Sequence, residues 1–212
     1  MTNDVRNDDL RTSSLGEPTW EMVSRFPLQG QWTVEEYLPL DMGRLVEFVD
    51  GKLEFVPMPT ELHQAIAFFL CTKLTEFIVP RRLGVAFVAP LRVRVAENRF
   101  REPDVLFMRT ENRSRRRNRF WEGADLVMEI VSEDDPDRDL VLKRQEYEKA
   151  GITEYWIIDP RDRSVTVLAL DETSGRYQEF ARLTDGQTAQ SSSIEGFDIS
   201  VSEIFDRPEM NA

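Results

Sequence analysis

Two carboxylates and an amine draw attention by their order along the chain. Asp104 sits in REPDVLFM, Glu129 in DLVMEIVS, and Lys143 lies four residues from both Asp139 and Tyr147. The first two runs are short, apolar and rich in strand formers, so each reads as a β-strand. Adjacent strands can place Asp104 and Glu129 side by side at the end of a sheet, two hard oxygen donors converging on one point. Mg²⁺, with Mn²⁺ as its substitute, suits one or two carboxylates, several waters and the oxygens of a phosphate substrate. The backbone carbonyl of Ile130 would complete such a ligand set. Asp139, Lys143 and Tyr147 share one helix face, and Leu140 on the same side turns that face inward. From there the amine of Lys143 would orient an attacking water and stabilise charge developing on phosphorus. Together these groups meet the needs of metal-assisted phosphodiester hydrolysis. Singly, each has an ordinary reading: a Pro-Asp turn, a strand-end carboxylate, an ion pair on a helix face. Their joint order points to chemistry.

The elements around them are legible from local pattern. Thr33 and Glu36 form a capping box for a short helix that stops near Pro39. Asp50-Gly51, between alternating apolar runs, predicts a two-residue type I′ turn joining 44–49 to 52–56. That register sets Glu47 opposite Glu54, a repulsive pair unless a cation intervenes. A site at Glu47, as a metal ligand or a base acting through water, would explain the pair; so would a nearby Arg92 or Arg94. After Pro59-Thr60, apolar residues from Leu62 to Ile78 fall at helical spacing, with His63, the chain's single histidine, in the first turn. Strands are expected over 85–95, 102–108 and 125–132. A helix follows from Asp135-Pro136 to Ala150, closed by Gly151. Then come a strand at 154–159, an antiparallel pair at 164–170 and 176–183, and a closing segment at 196–205. Helices interleaved with strands argue for an α/β sandwich, helices packed on a central mixed sheet. Residues 1–25 read as a polar, weakly ordered arm, 26–206 as a single domain and 207–212 as a tail.

The chain has 212 residues, 41% of them hydrophobic, which is enough for a core without covalent staples. Its one cysteine, Cys71, has no intrachain partner, and neither a signal peptide nor a membrane-length apolar run is visible. A cytoplasmic protein is the expectation. The formal net charge is −12, yet the segment from Arg81 to Arg119 holds twelve Arg, no Lys and four acids. That strip carries +8 on an acidic body, which makes Arg113, Arg115, Arg116, Arg117 and Arg119 candidate nucleic-acid contacts; a solvated face balancing the acids is the plainer reading. Walker and Rossmann glycine motifs, zinc-type cysteine spacing and a Gly-x-Ser-x-Gly turn are all missing, so no organic cofactor or serine triad is expected.

Taken whole, Thr33 to Phe205 resembles the PD-(D/E)XK nuclease superfamily, and within it the Uma-type (Uma-two) restriction endonucleases. The likeness is carried by Thr33 to Tyr37, Glu47 to Gly51, His63, Pro103-Asp104, Asp125 to Ser132, Asp139 with Lys143 and Tyr147, and Gly151 to Pro160. It implies a restriction-endonuclease-like sandwich with an N-terminal β-hairpin and C-terminal antiparallel strands, and a Mg²⁺-dependent endonuclease acting on DNA. It further implies an acid at Glu47 and a site-lining role for His63. The superfamily's usual lysine position is occupied here by Val131, so the resemblance moves that role to Lys143. Where relatives often read Ser-Pro-Ser-Thr, this chain has Ser132-Glu-Asp-Asp-Pro136, three acids beside the site. A catalytically inactive module binding nucleic acid or a protein partner is therefore the alternative. Fold analogy implies a homodimer, with 164–205 as its candidate interface.

Overall fold

The structure is a computed structural model describing residues 13–15 and 26–206. Apart from 13–15, the expected N-terminal arm to residue 25 and the tail from 207 lie outside the described residues. At the Asp50-Gly51 turn both residues take left-handed backbone, φ 49° and 83°, as a type I′ turn requires. Strands β1 (Val46–Val49) and β2 (Lys52–Phe55) pair in the expected register, Glu47 opposite Glu54. A Cβ on Gly51 would fall 2.7 Å from the Gly30 carbonyl oxygen, so backbone packs where a side chain would sit. Helix α1 (Val34–Tyr37) starts at the expected capping box: Thr33 Oγ1 accepts from the Glu36 amide while the Glu36 carboxylate accepts from the Thr33 amide.

Helix α2 (Glu61–Ile78) begins at Thr60, whose hydroxyl accepts from the His63 amide at 3.2 Å. Its buried face is Ile66, Leu70, Leu74 and Ile78, one residue per turn. The stretch 85–95, expected as one strand, is two. The Ala89-Pro90 turn separates β3 (Gly84–Val88) from β4 (Arg92–Ala96), because proline has no N–H to continue a ladder. The pieces join different sheets. Next come β5 (Arg99–Arg101), β6 (Val105–Arg109), a 3₁₀ turn over Thr110–Arg115, β7 (Phe120–Glu122) and β8 (Leu126–Ile130). Short strands β5 and β7 were not visible as separate elements in the pattern.

Pro136 is the first helical residue after β8, as expected. The helix, α3, runs through a π-helical turn at Arg138–Lys143 into α-helix at Arg144–Lys149. It ends on left-handed Gly151, φ 72°. The amides of Gly151 and Ile152 donate to the carbonyls of Glu148 and Tyr147, the two bonds of a Schellman cap. Strands β9 (Glu154–Asp159), β10 (Ser164–Asp171), β11 (Arg176–Leu183), β12 (Thr188–Gln190) and β13 (Asp198–Ser200) follow, then α4 (Val201–Phe205).

The central sheet is six-stranded and mixed, in the order β11-β10-β9-β8-β6-β3, with β8 and β9 parallel and the other pairs antiparallel. One face packs on α2 and the C-terminal elements through Leu70, Val105, Met128, Trp156 and Ile204. The other packs on α3 and part of the second sheet through Leu106, Val127, Tyr147, Tyr155 and Trp121. That second sheet, β2-β1-β5-β4-β7, has its own core of Tyr37, Phe48, Leu53 and Phe100. The expected mixed sheet flanked by helices, with a hairpin before it and antiparallel strands after, is what forms.

Candidate active site

Antiparallel pairing decides where the acids meet. Val105 on β6 lies opposite Met128 on β8, so the next residue outward on each strand is Asp104 and Glu129. Asp104 Oδ2 accepts from the Ile130 amide at 2.8 Å, which ties the start of β6 to the end of β8. A strand residue's N–H and C=O leave by the same edge, so the Ile130 carbonyl also faces the Asp104 side. His63, from the first turn of α2, places Nε2 3.2 Å from Asp104 Oδ2. These two side chains are the partly open end of the site, 21% and 14% exposed.

Alternation turns Glu129 toward α3, away from the α2 face that Met128 and Ile130 occupy. Its Oε2 lies 2.9 Å from Lys143 Nζ, and its Oε1 accepts from the Tyr147 hydroxyl at 2.5 Å. Lys143 Nζ is also 3.0 Å from Asp139 Oδ1. The π turn carries Asp139 and Lys143 inward together, and both are buried. Tyr155 donates its hydroxyl to the Asp139 carbonyl, a brace from β9. Amine, acids and imidazole thus come from β6, β8, α2 and α3 to one place.

Burial raises the Glu129 carboxyl far above the usual carboxylate range, with Asp104 and Asp139 adding to the shift and Lys143 opposing it. Burial alone would lower Lys143, but Glu129 and Asp139 outweigh it and hold the amine charged. Burial is the largest single effect on His63 and lowers it, but the bond to Asp104 together with the charges of Asp104 and Asp139 raises it overall.

Glu47 lies outside these contacts. Its oxygens accept from Arg101 Nη1 at 2.6 Å, from Arg138 and from the Glu102 amide at 3.1 Å. Burial pushes its carboxyl upward, yet Lys143, Arg101 and Arg138 bring it down to about 2. Glu47 thus reaches the site through its field on Lys143. The cation between Glu47 and Glu54 is Arg101, with Arg138 beside it, and not the expected Arg92 or Arg94. Arg92 pairs with Glu102 and lies over the Tyr37 ring, and Arg94 pairs with Glu122. Their backbone positions on β4 direct them elsewhere.

Among the described residues no three carboxylate, imidazole or thiol groups form a ready-made metal cage. The donor chemistry nevertheless suits a hard cation that keeps most of its waters. Asp139 Oδ1 is buried and receives no hydrogen bond, since Lys143 approaches it without the geometry of one. That orphaned oxygen and Asp104 are available donors, and Glu129 becomes one if Lys143 shifts. Sequence reading placed Asp139 on the right face but did not single it out, although its four-residue offset from Lys143 was a usable signal.

The Arg strip does not join this group. Its candidate contacts, Arg113 to Arg119, lie on the connection between β6 and β7. Arg113, Arg116, Arg117 and Arg119 are exposed, and Arg115 turns partly inward to the Glu122 carbonyl and Asp125.

Comparison with known proteins agrees with this architecture. A crystal structure described as that of "a putative nuclease belonging to DUF820", from Anabaena variabilis, superposes with a TM-score of 0.68 at 22% identity. The likeness covers 82% of this chain and 97% of that one. No curated protein matches. The family described as "Uma2: Putative restriction endonuclease" matches residues 34–202, which include every acid, the lysine and the histidine of the site. The chain belongs to the Uma2 restriction-endonuclease family.

Proposed function

We propose that this protein is a Mg²⁺-dependent nuclease hydrolysing phosphodiester bonds of DNA, with Mn²⁺ able to replace Mg²⁺. The observation that supports it best is the meeting of Asp104, Glu129 and Lys143 from two adjacent strands and the following helix. Asp104, Glu129 and Asp139, with the Ile130 carbonyl, would hold the ion, which supplies Lewis acidity toward the phosphate oxygens. Lys143, displaced from Glu129 by the ion, would orient the attacking water and offset the charge that grows on phosphorus. Tyr147 holds Glu129 in place through its hydroxyl. His63, at the open end beside Asp104, would meet a phosphate oxygen of the bound strand. Glu47 adds to the field that keeps Lys143 charged and pairs with Arg138 at the start of the π turn. A cytoplasmic homodimer belongs to the same reading, the second copy lying against the C-terminal strands so that two sites reach both strands of a duplex.

Purified protein with Mg²⁺ or Mn²⁺ is expected to nick supercoiled plasmid, and Asp104→Ala to abolish the nicking. Equal nicking by that variant would overturn the assignment. A second reading, a nuclease-fold module that binds without cleaving, is favoured by the exposed acids Glu133, Asp134, Asp135 and Asp137 beside the site and by the closed Lys143 ion pairs. Its signature is salt-sensitive DNA binding with no heat of Mn²⁺ binding in a calorimeter.

A further inference from the structure

Lys143 sits where a divalent ion would have to go. Its Nζ lies 2.9 Å from Glu129 Oε2 and 3.0 Å from Asp139 Oδ1, and all three side chains are buried. Two of the carboxylates that suit a hard cation are therefore already closed around a cation of the protein's own. An ammonium and a divalent ion cannot share those two oxygens, because like charges at such short range repel strongly where water is scarce. An ion takes both oxygens only as the ammonium leaves them.

The surroundings decide where the ammonium can turn. The four carboxylates that act most strongly on Lys143 are Glu129, Asp139, Glu47 and Asp104. Three of these are the ligands of the proposed ion. Glu47, the fourth, is already filled: Oε2 accepts from Arg101 Nη1 and from Arg138, and Oε1 from the Glu102 amide. A displaced ammonium is thus left as a buried charge without an acid of its own, which is a costly state. The site opens to solvent at His63 and Asp104, so an anion enters from that end. A phosphate oxygen is a strong acceptor for an ammonium, and the flexible four-carbon stem of lysine permits the swing toward it.

Resting on the nuclease reading, we propose that Lys143 is a resident occupant of the ion site that yields only to ion and phosphodiester together, so that the two bind cooperatively. The ion removes the acids from the ammonium, and the phosphate supplies the acceptor that replaces them. Without substrate the site stays closed on its own lysine and free ion binds weakly.

The test is calorimetric titration of the full-length protein with Mn²⁺ under three conditions: alone, with dimethyl phosphate, and with trimethyl phosphate. The first additive is a phosphodiester anion without base or sugar, and the second is its neutral counterpart. In the parent, dimethyl phosphate is expected to tighten Mn²⁺ binding about tenfold or more, a usual size for coupling between two ligands, and trimethyl phosphate to leave it unchanged. Lys143→Met is expected to bind Mn²⁺ alone about tenfold tighter than the parent does, because the competing closed state is gone. The same variant is expected to lose most of the gain from dimethyl phosphate. An equal gain in the Met protein means that the phosphate merely ligates the ion, and overturns the proposal. So does a parent whose Mn²⁺ affinity dimethyl phosphate leaves unchanged. Parent crystals soaked in Mn²⁺ with dimethyl phosphate decide the matter even where the Met protein does not fold. Nζ is expected against a phosphate oxygen and beyond hydrogen-bond distance of Glu129 and Asp139; Nζ still between those acids overturns the proposal. The two failures are separable. A parent that nicks plasmid but shows no coupling loses only this role of Lys143, and one that shows coupling but never nicks loses only the hydrolase. A parent that binds no Mn²⁺ under any of the three conditions loses both.

Discussion

Lys143 is held by Glu129 and Asp139, and removing it leaves two buried carboxylates without their cation. Lys143→Met is expected to cost about 3–5 kcal/mol, read from urea unfolding, since breaking a buried pair exposes the partner's full desolvation cost. Tyr147→Phe removes only the hydroxyl that Glu129 accepts from, leaving a buried acceptor short of a partner, and is expected to cost about 1–3 kcal/mol. Glu47 gives the pH signature. Its folded carboxyl lies near 2, below the 4.5 of an unperturbed glutamate. A lowered folded value stabilises the protein above the unfolded value, and the contribution disappears as pH falls from 4.5 toward 2. That interval corresponds to about 3 kcal/mol at neutral pH. Urea midpoints of the parent are therefore expected to fall more steeply between pH 5 and pH 3, about the range in which carboxylates titrate, than those of Glu47→Gln. Parallel curves would show that Glu47 is not ion-paired.

Among the elements, α3 depends most on long-range anchoring. Arg101, fully buried on β5, gives Nε and Nη2 to Glu146 and Nη1 to Glu47 and Glu54. Arg138 joins the same hairpin acids from the other end of the π turn. The turn is thus pinned on both sides by ions from the second sheet, which keeps Asp139 and Lys143 facing inward. Arg101→Met is expected to destabilise by about 3–5 kcal/mol, and a double-mutant cycle with Glu146→Gln to show coupling well above the ~0.5 kcal/mol of independent sites. Additivity would mean the two ends of α3 are not joined this way. Here local pattern reading reached its limit. Asp104 and Glu129 were legible because strand period and order alone bring them together, and Glu47 opposite Glu54 because the Asp-Gly turn sets the register. Arg101 was not legible as their cation, because its partners lie 45 to 54 residues away in sequence and only the fold brings them near. The π turn was hidden for a similar reason: Asp139 and Lys143 at four-residue spacing fit an ordinary helix face equally well.

At the scale of the molecule, β11 is the outer strand of the central sheet, and Phe180 on it is 54% exposed. An open edge beside an exposed aromatic suits pairing with a second copy. If the proposed dimer uses it, Phe180→Asp is expected to convert the sedimenting species from dimer to monomer at micromolar concentration; a parent that already sediments as a monomer removes that proposal. The split of 85–95 into β3 and β4 also belongs to this scale, since it sends one run to two sheets. Composition revealed the strip's charge, but not its fate in the fold: Arg101 is fully buried, whereas Arg113, Arg116, Arg117 and Arg119 are exposed. Among the described residues no helix is long and apolar enough to cross a membrane. The acid site carries the proposed chemistry, and a crystal soaked in Mn²⁺ interrogates it directly through anomalous scattering. The expected result is a peak about 2.1 Å from oxygens of Asp104 and of Glu129 or Asp139, within the distances of a hard divalent cation. No peak there at millimolar Mn²⁺, or a peak that leaves Asp104 untouched, would contradict it.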